Sequence, residues 1–274
     1  MSKIKLIGID LDGTAFNSEK EITKANLDAF KRCRENNIHV VPVTGRPFSG
    51  LYEEHKRKIL CEYSIHTNGA AAYRLSDNKR IITHGMDHKT SLELIDILDG
   101  FDCYYGIFFD GFGYLEEETL EKELRKWSGT PLFDYVKRTR KPIKDRREFL
   151  KTLRLCDNIY AIAESTPERE KIKKAISHID NIYFTSSIEV DVEIGGNCSK
   201  GSSLIELGSM LGIERSQIMA IGDSGNDLKM LEAAGVAVAM DNSSEEIKQA
   251  ADFVTKSCEE SGVAYAIDKL VFNK

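Results

Sequence analysis

A chain of 274 residues, 41% of them hydrophobic, is long enough for a core plus a second, smaller module, and two modules are expected. A net charge of −6 with both signs interspersed offers no broad positive field to nucleic acid, while a small charged substrate stays open. Six scattered cysteines, with no Cys-x-x-Cys pair and no matching histidine spacing, argue against a structural zinc site and read as reduced thiols.

The first residues run directly into a short apolar stretch followed by acids, with no secretory apolar region and no cleavage site. No apolar run approaches the roughly 20 residues that span a bilayer, so a soluble, cytoplasmic protein without a membrane partner is expected.

Residues 4–9 are a nearly unbroken apolar run ending in Asp10, the pattern of a parallel strand covered on both faces. Residues 23–37 carry Ala25, Ala29, Phe30 and Cys33 at helical spacing, and residues 38–43 follow as a second strand. Pro42 removes a ladder donor there, so it fits only at the last pairing position. Pro47 suits the first turn of a helix running to about Leu60. Residues 64–67 and 70–75 read as strands around the tight turn Asn68-Gly69, and the first segment closes near Thr83.

The middle of the chain has an α+β texture. Residues 103–109 and 114–115 flank the turn Asp110-Gly111, and helical patterns occupy residues 90–99, 117–127 and 167–179. Ile188, Val190, Val192 and Ile194 alternate with Glu189, Asp191 and Glu193, which predicts a last strand on a sheet whose wet face solvates the three acids. Strand and helix then alternate again: a helix over 202–211 closed by Gly212, a strand over 218–221, a helix over 227–234 closed by Gly235, and a strand over 236–239. Ser243 and Glu246 have the form of a capping box, and Phe253-Val254 reads as the last strand.

Chemistry concentrates where apolar runs end. In Asp10-Leu11-Asp12-Gly13-Thr14 a spacing of two lets both carboxylates lean toward one pocket, and Gly13 permits the sharp turn. A calcium loop fits poorly, because it wants an acid or amide at Thr14 and a closing glutamate in register. Thr44-Gly45-Arg46 offers a hydroxyl and an accessible backbone N–H, a combination suited to phosphate and also to ordinary turn chemistry. Lys200 opens a helix, where its ammonium joins the positive helix end. Gly222-Asp223-Ser224-Gly225-Asn226-Asp227 puts two acids and an amide in a loop between strand and helix, a natural place for a divalent cation. Delivering Asp10, Thr44 and Asp223 from three strand ends is how open parallel sheets build sites at their carboxyl edge.

In order and context these four stretches resemble the motifs of the haloacid dehalogenase-like superfamily, specifically its Cof-type sugar-phosphatase branch with a type IIB cap. The resemblance implies an α/β fold, a Rossmann-like core whose mostly parallel sheet is flanked by helices, plus an inserted α+β cap. It divides the chain into residues 1–83 and 188–274 for the core and 84–187 for the cap, which selects the substrate. It further implies a Mg²⁺-dependent phosphatase for small phosphorylated metabolites, with Asp10 as nucleophile and Asp12 as general acid and base. Asp10, the Asp12 carbonyl, Asp223 and Asp227 are the implied metal site, and Thr44, Gly45, Lys200 and Asn226 the phosphate-binding groups. A phosphomannomutase-like phosphotransferase and a non-catalytic phospho-ligand sensor stay open beside it. The basic run Lys137, Arg138, Arg140, Lys141, Lys144, Arg146 and Arg147 is expected to be a solvated face, with recognition of a second anion as the alternative.

Overall fold

The computed structural model describes residues 4–51, 55, 58–186 and 189–273. The chain forms two units, one built from Met1–Gly45, Tyr52–Thr83 and Ser199–Lys274, the other from Arg46–Leu51 and His84–Cys198.

The first unit carries a five-stranded parallel sheet in the order Phe253–Val254, Val236–Ala239, Ile218–Gly222, Leu6–Ile9, His39–Pro42. Leu6–Ile9 lies between two neighbours and is buried along its whole length, so the run must be apolar on both faces. Pro42 is the last residue of its strand, opposite Ile9, where a missing donor interrupts nothing further along the ladder. The helices Lys24–Glu35, Lys200–Met210, Leu228–Ala233, Glu245–Gln249 and Gly262–Leu270 belong to the same unit. Leu6, Val41, Leu204, Leu207, Ile218 and Met230 are fully buried in one cluster that welds helices to sheet. An antiparallel sheet of Tyr63–His66, Ala71–Arg74 and Lys79–Thr83 joins it through a bridge between Val43 and Ile65.

The second unit has a six-stranded sheet in the order Ile182–Thr185, Asp191–Gly196, Asn158–Ala163, Cys103–Phe109, Phe112–Glu116, Arg140–Ile143. Asp110 and Gly111, with φ of 46° and 79°, make the hairpin turn whose twist matches paired strands. Leu94, Ile95, Leu98, Ile159, Ile172 and Val192 form the core beneath the helices His88–Leu98 and Thr166–Ile176.

Several expectations need revision. The division after residue 187 is displaced, because Asp191–Gly196 pairs with Asn158–Ala163 and Ile182–Thr185 and thereby holds the second unit together as far as Cys198. Asp191 is buried rather than solvated, and Ile188 lies outside the described residues. The helix expected over 47–60 opens as a 3₁₀ turn, Phe48–Gly50, and is α-helical at His55, Lys58 and Ile59 as expected, with residues 52–54 and 56–57 outside the described ones. Glu245–Gln249 is capped at Ser244 with no side-chain bond, so the expected capping box at Ser243 is not made. The basic run is solvated at Lys137, Lys141 and Lys144, as expected, while its arginines are half-buried and engaged. Arg146 pairs with Glu116 at 2.7 Å, Arg147 with Asp96 and Asp99, and Lys141 sits 3.5 Å from the Phe112 ring centroid. Arg140 lies over Phe108 and Tyr160 and donates to the Tyr160 hydroxyl at 3.2 Å. No helix among the described residues is long and apolar enough to cross a membrane.

Candidate active site

The parallel sheet ends in carboxylates at two of its central strands. Asp10 follows Leu6–Ile9 and Asp223 follows Ile218–Gly222; Asp227 comes one 3₁₀ turn later. One ligand oxygen from each of Asp10, Asp223 and Asp227 lies within 4.8 Å of the others. Lys200 is brought to them by the close packing of its helix on Leu228–Ala233: a β-carbon at Gly201 would meet the Lys229 carbonyl oxygen at 2.0 Å, so only glycine allows that approach. The Lys200 ammonium, 1% exposed as a residue, donates to Asp10 Oδ1 and Asp227 Oδ1 at 2.7 Å each and to Asn226 Oδ1 at 3.1 Å. Its three hydrogens match these three acceptors. The second carboxylate oxygen of Asp227 takes the Asp223 and Ser224 backbone N–H groups at 3.0 Å each, which fixes the loop.

The turn after Asp10 is fastened from both sides. Gly13 has φ of 81°, and a β-carbon there would meet Asp223 Oδ2 at 2.5 Å. Thr14 donates to Asp223 Oδ1 at 2.7 Å, and Asn242 Nδ2 donates to the Gly13 carbonyl at 2.9 Å. The Asp12 side chain is not part of the three-acid cluster: it is 40% exposed and pairs with Lys20 at 2.9 Å. Thr44 is buried at the end of His39–Pro42, and its carbonyl accepts from Asn68 N–H at 3.2 Å. The structure thus brings Asp10, Lys200, Asp223, Asn226 and Asp227 into one network and connects Thr44 to it through Asn68. Thr14, Lys20, Ser224 and Asn242 also contribute. Of these, only Thr14 and Ser224 stood inside stretches that the sequence marked, because nothing local distinguishes Lys20 from a surface lysine or Asn242 from a loop amide.

The charges do not balance within the cluster. Three carboxylates face one ammonium, which leaves two negative charges when all are ionised, the amount that one divalent cation offsets. Burial pushes the Asp10 carboxyl well above the usual carboxylate range; Lys200 opposes the rise, and Asp227 and Asp223 add to it. Asp223 is pushed up to about 6 by burial and by Asp227, against the Thr14 hydrogen bond. For Lys200 burial alone favours loss of the proton, but Asp10 and Asp227 outweigh it and hold the ammonium. An all-oxygen donor set of excess negative charge suits a hard cation.

A stability consequence follows for the metal-free protein. A carboxyl whose folded pKa is raised binds more protons folded than unfolded, so its contribution to stability is greatest at low pH and is lost as pH rises through the folded value. In chelator, the first unit is expected to melt higher at pH 5 than at pH 7.5. Added Mg²⁺ should raise the melting temperature more at pH 7.5 than at pH 5, because protons and cation compete for the same oxygens. Asp223→Asn should shrink both differences; melts indifferent to pH and cation in the native chain would contradict the assignment.

A parallel α/β sheet that gathers three acids and a buried lysine at its carboxyl edge defines a site for a divalent cation and an anion together. Residues 7–267 match the haloacid dehalogenase-like hydrolases, and the chain belongs to that family. It is 32% identical to the 5-amino-6-(5-phospho-D-ribitylamino)uracil phosphatase YwtE of Bacillus subtilis, over 98% of each chain. Among solved structures, a haloacid dehalogenase-like hydrolase from B. subtilis superposes with a TM-score of 0.84 at 29% identity, covering 97% of this chain and 100% of that one. The subclass IIB sugar phosphatase BT4131 shares the fold, with a TM-score of 0.79 at 18% identity over 97% of this chain and 98% of its own. The chain is therefore an enzyme of the phosphatase class.

Proposed function

We propose that this enzyme is a cytoplasmic, Mg²⁺-dependent phosphatase of small phosphate monoesters, sugar phosphates and related metabolites, working through an aspartyl-phosphate on Asp10. The observation that carries the reading is the buried Lys200 ammonium held 2.7 Å from Asp10 inside a three-carboxylate cluster at the sheet edge. An anionic nucleophile and an anionic phosphate repel by about 4 kcal/mol per charge pair at 4 Å and an effective dielectric of 20. Only a site with concentrated positive charge overcomes this. Asp10, the Asp12 carbonyl and Asp223, with Asp227 through water, would hold Mg²⁺, which when bound supplies charge that screens nucleophile from substrate.

In the proposed sequence Asp10 attacks phosphorus while the bond to the leaving oxygen breaks, and Asp12 gives that oxygen its proton. Asp12, now a carboxylate, takes a proton from water as the water oxygen attacks phosphorus. The bond to Asp10 then breaks and inorganic phosphate leaves. Thr44, the Gly45 N–H, Asn226 and Lys200 bind the phosphoryl oxygens through both steps. The Asp12 side chain stands outside the buried acid cluster and is open to solvent, which supports its role because the water whose proton it takes comes from there.

The relative's name supplies a substrate candidate, a phosphate on a ribityl chain, so polyol phosphates belong on the panel beside hexose, pentose and cofactor phosphates. The test is a phosphate-release screen over such a panel, run with Mg²⁺ and with chelator. Release that needs the cation supports the proposal. Isomer formation without inorganic phosphate favours a phosphotransferase, and tight binding without release favours a sensor; either would sink the hydrolase reading.

A further inference from the structure

The turn Thr67–Gly69 closes the hairpin between Tyr63–His66 and Ala71–Arg74, and the reaction proposed above assigns it no task. Three consecutive residues in it are left-handed, with φ of 51°, 54° and 104°, although only the last is glycine. Residues with side chains adopt that region at a cost, and strain of this kind persists where surroundings over-determine it. Here the surroundings are the phosphate-binding elements. Asn68 N–H donates to the Thr44 carbonyl at 3.2 Å, Ser203 Oγ donates to the Gly69 carbonyl at 2.6 Å, and Asn226 Nδ2 donates to Asn68 Oδ1 at 3.3 Å. Ser203 lies in the helix that begins with Lys200.

The Asn226 carboxamide can face only one way. Its oxygen accepts from the Lys200 ammonium at 3.1 Å and from Ser224 Oγ at 2.8 Å, and an ammonium has nothing but hydrogens to offer. The amide nitrogen must then turn toward Asn68, whose oxygen takes one of its two hydrogens. Among the described residues no second acceptor is assigned to that nitrogen, which leaves one N–H for an incoming anion.

We infer that Asn68 is a positioning residue of the phosphate site: its side-chain oxygen holds the Asn226 amide in the donor orientation, and its backbone N–H ties the Thr44 strand end to the same site. The inference rests on the phosphoryl-transfer reading and deepens it. Asn68 is 6% exposed and asparagine tolerates left-handed backbone, which reconciles the fold's demand with the site's.

Asn68→Gly tests this, because glycine keeps the backbone conformation and removes only the side chain. Inorganic phosphate binding is measured by calorimetry with Mg²⁺ present, alongside kcat, KM and melting temperature. The expected result is phosphate affinity about tenfold weaker and kcat/KM reduced by a similar factor, with melting within a few degrees of the native chain. In an Asn226→Ala background the same change should add less than about twofold, since the group it orients is gone. Unchanged phosphate affinity in Asn68→Gly, or a full additive loss in the double variant, would overturn the inference. Should Asn68→Gly not fold, Asn68→Asp keeps both the acceptor and the left-handed tolerance. Its kcat at saturating substrate should stay within about threefold, and a collapse of kcat in a folded Asn68→Asp protein would be equally fatal. Phosphate binding is read without turnover, so a native chain that binds phosphate yet hydrolyses no ester sinks the reaction and leaves this inference standing. One that binds no phosphate overturns both.

Discussion

Asp10→Asn is expected to lower turnover by at least about 10⁴-fold, because the amide has no anionic oxygen to attack phosphorus and no other described carboxylate occupies that strand end. The same change should leave the fold intact or firmer. Asp10 is 4% exposed and its carboxyl is pushed far above the usual range by burial, so ionising it costs the folded state in a metal-free protein. The amide oxygen can still accept from Lys200. A phosphate-release assay paired with a chelated thermal melt checks both halves. A folded variant that stays active would count against Asp10 as nucleophile, and one that unfolds would contradict the stability half. Loss of function with retained or increased stability is the signature of a group kept for chemistry at the expense of packing.

Lys200→Met carries the second large effect, and it differs in kind. Removing the ammonium leaves Asp10 and Asp227 buried without their cation, and breaking one side of a buried ion pair typically costs 3–5 kcal/mol. The chelated first unit should therefore melt on the order of 10 °C lower. Mg²⁺ should restore part of that loss by supplying charge near the same oxygens, while activity stays depressed by about 10³-fold because one phosphoryl-oxygen donor is missing. Arginine should not rescue, since its planar fork cannot replace a compact tetrahedral donor that meets three acceptors in a closed pocket. A Met variant with native stability in chelator would show that the ion network contributes little to the fold.

The contrast between these two residues bears on what the sequence revealed. Asp10, Thr44, Lys200 and Asp223 were legible because each stands where a periodic or apolar segment gives way to a polar turn, a local event that a linear reading detects. The parallel sheet was legible for the same reason. Asn158–Ala163 was not: both faces of this central strand are covered, so Ile159, Tyr160 and Ala161 are all buried and no alternation marks it. Asn68 read only as a turn residue, because its partner Asn226 is 158 positions away and the bond between them exists only in the fold. The basic run over residues 137–147 was legible at its exposed lysines and misled at its arginines. Its charges look solvated in a linear reading, yet Asp96, Asp99 and Glu116, which come earlier in the chain, answer Arg146 and Arg147.

The discontinuous make-up of the first unit also sets an order of events during synthesis. Leu6–Ile9 is translated well before its neighbour Ile218–Gly222 and before the lysine that neutralises Asp10, 190 positions downstream. The stretch His84–Cys198, continuous in the chain, is complete while the older strand still waits with one edge uncovered. Nascent polypeptides halted before Ser199 thus carry an unpaired hydrophobic ribbon, and this interval is when wrong pairing at that edge competes with folding.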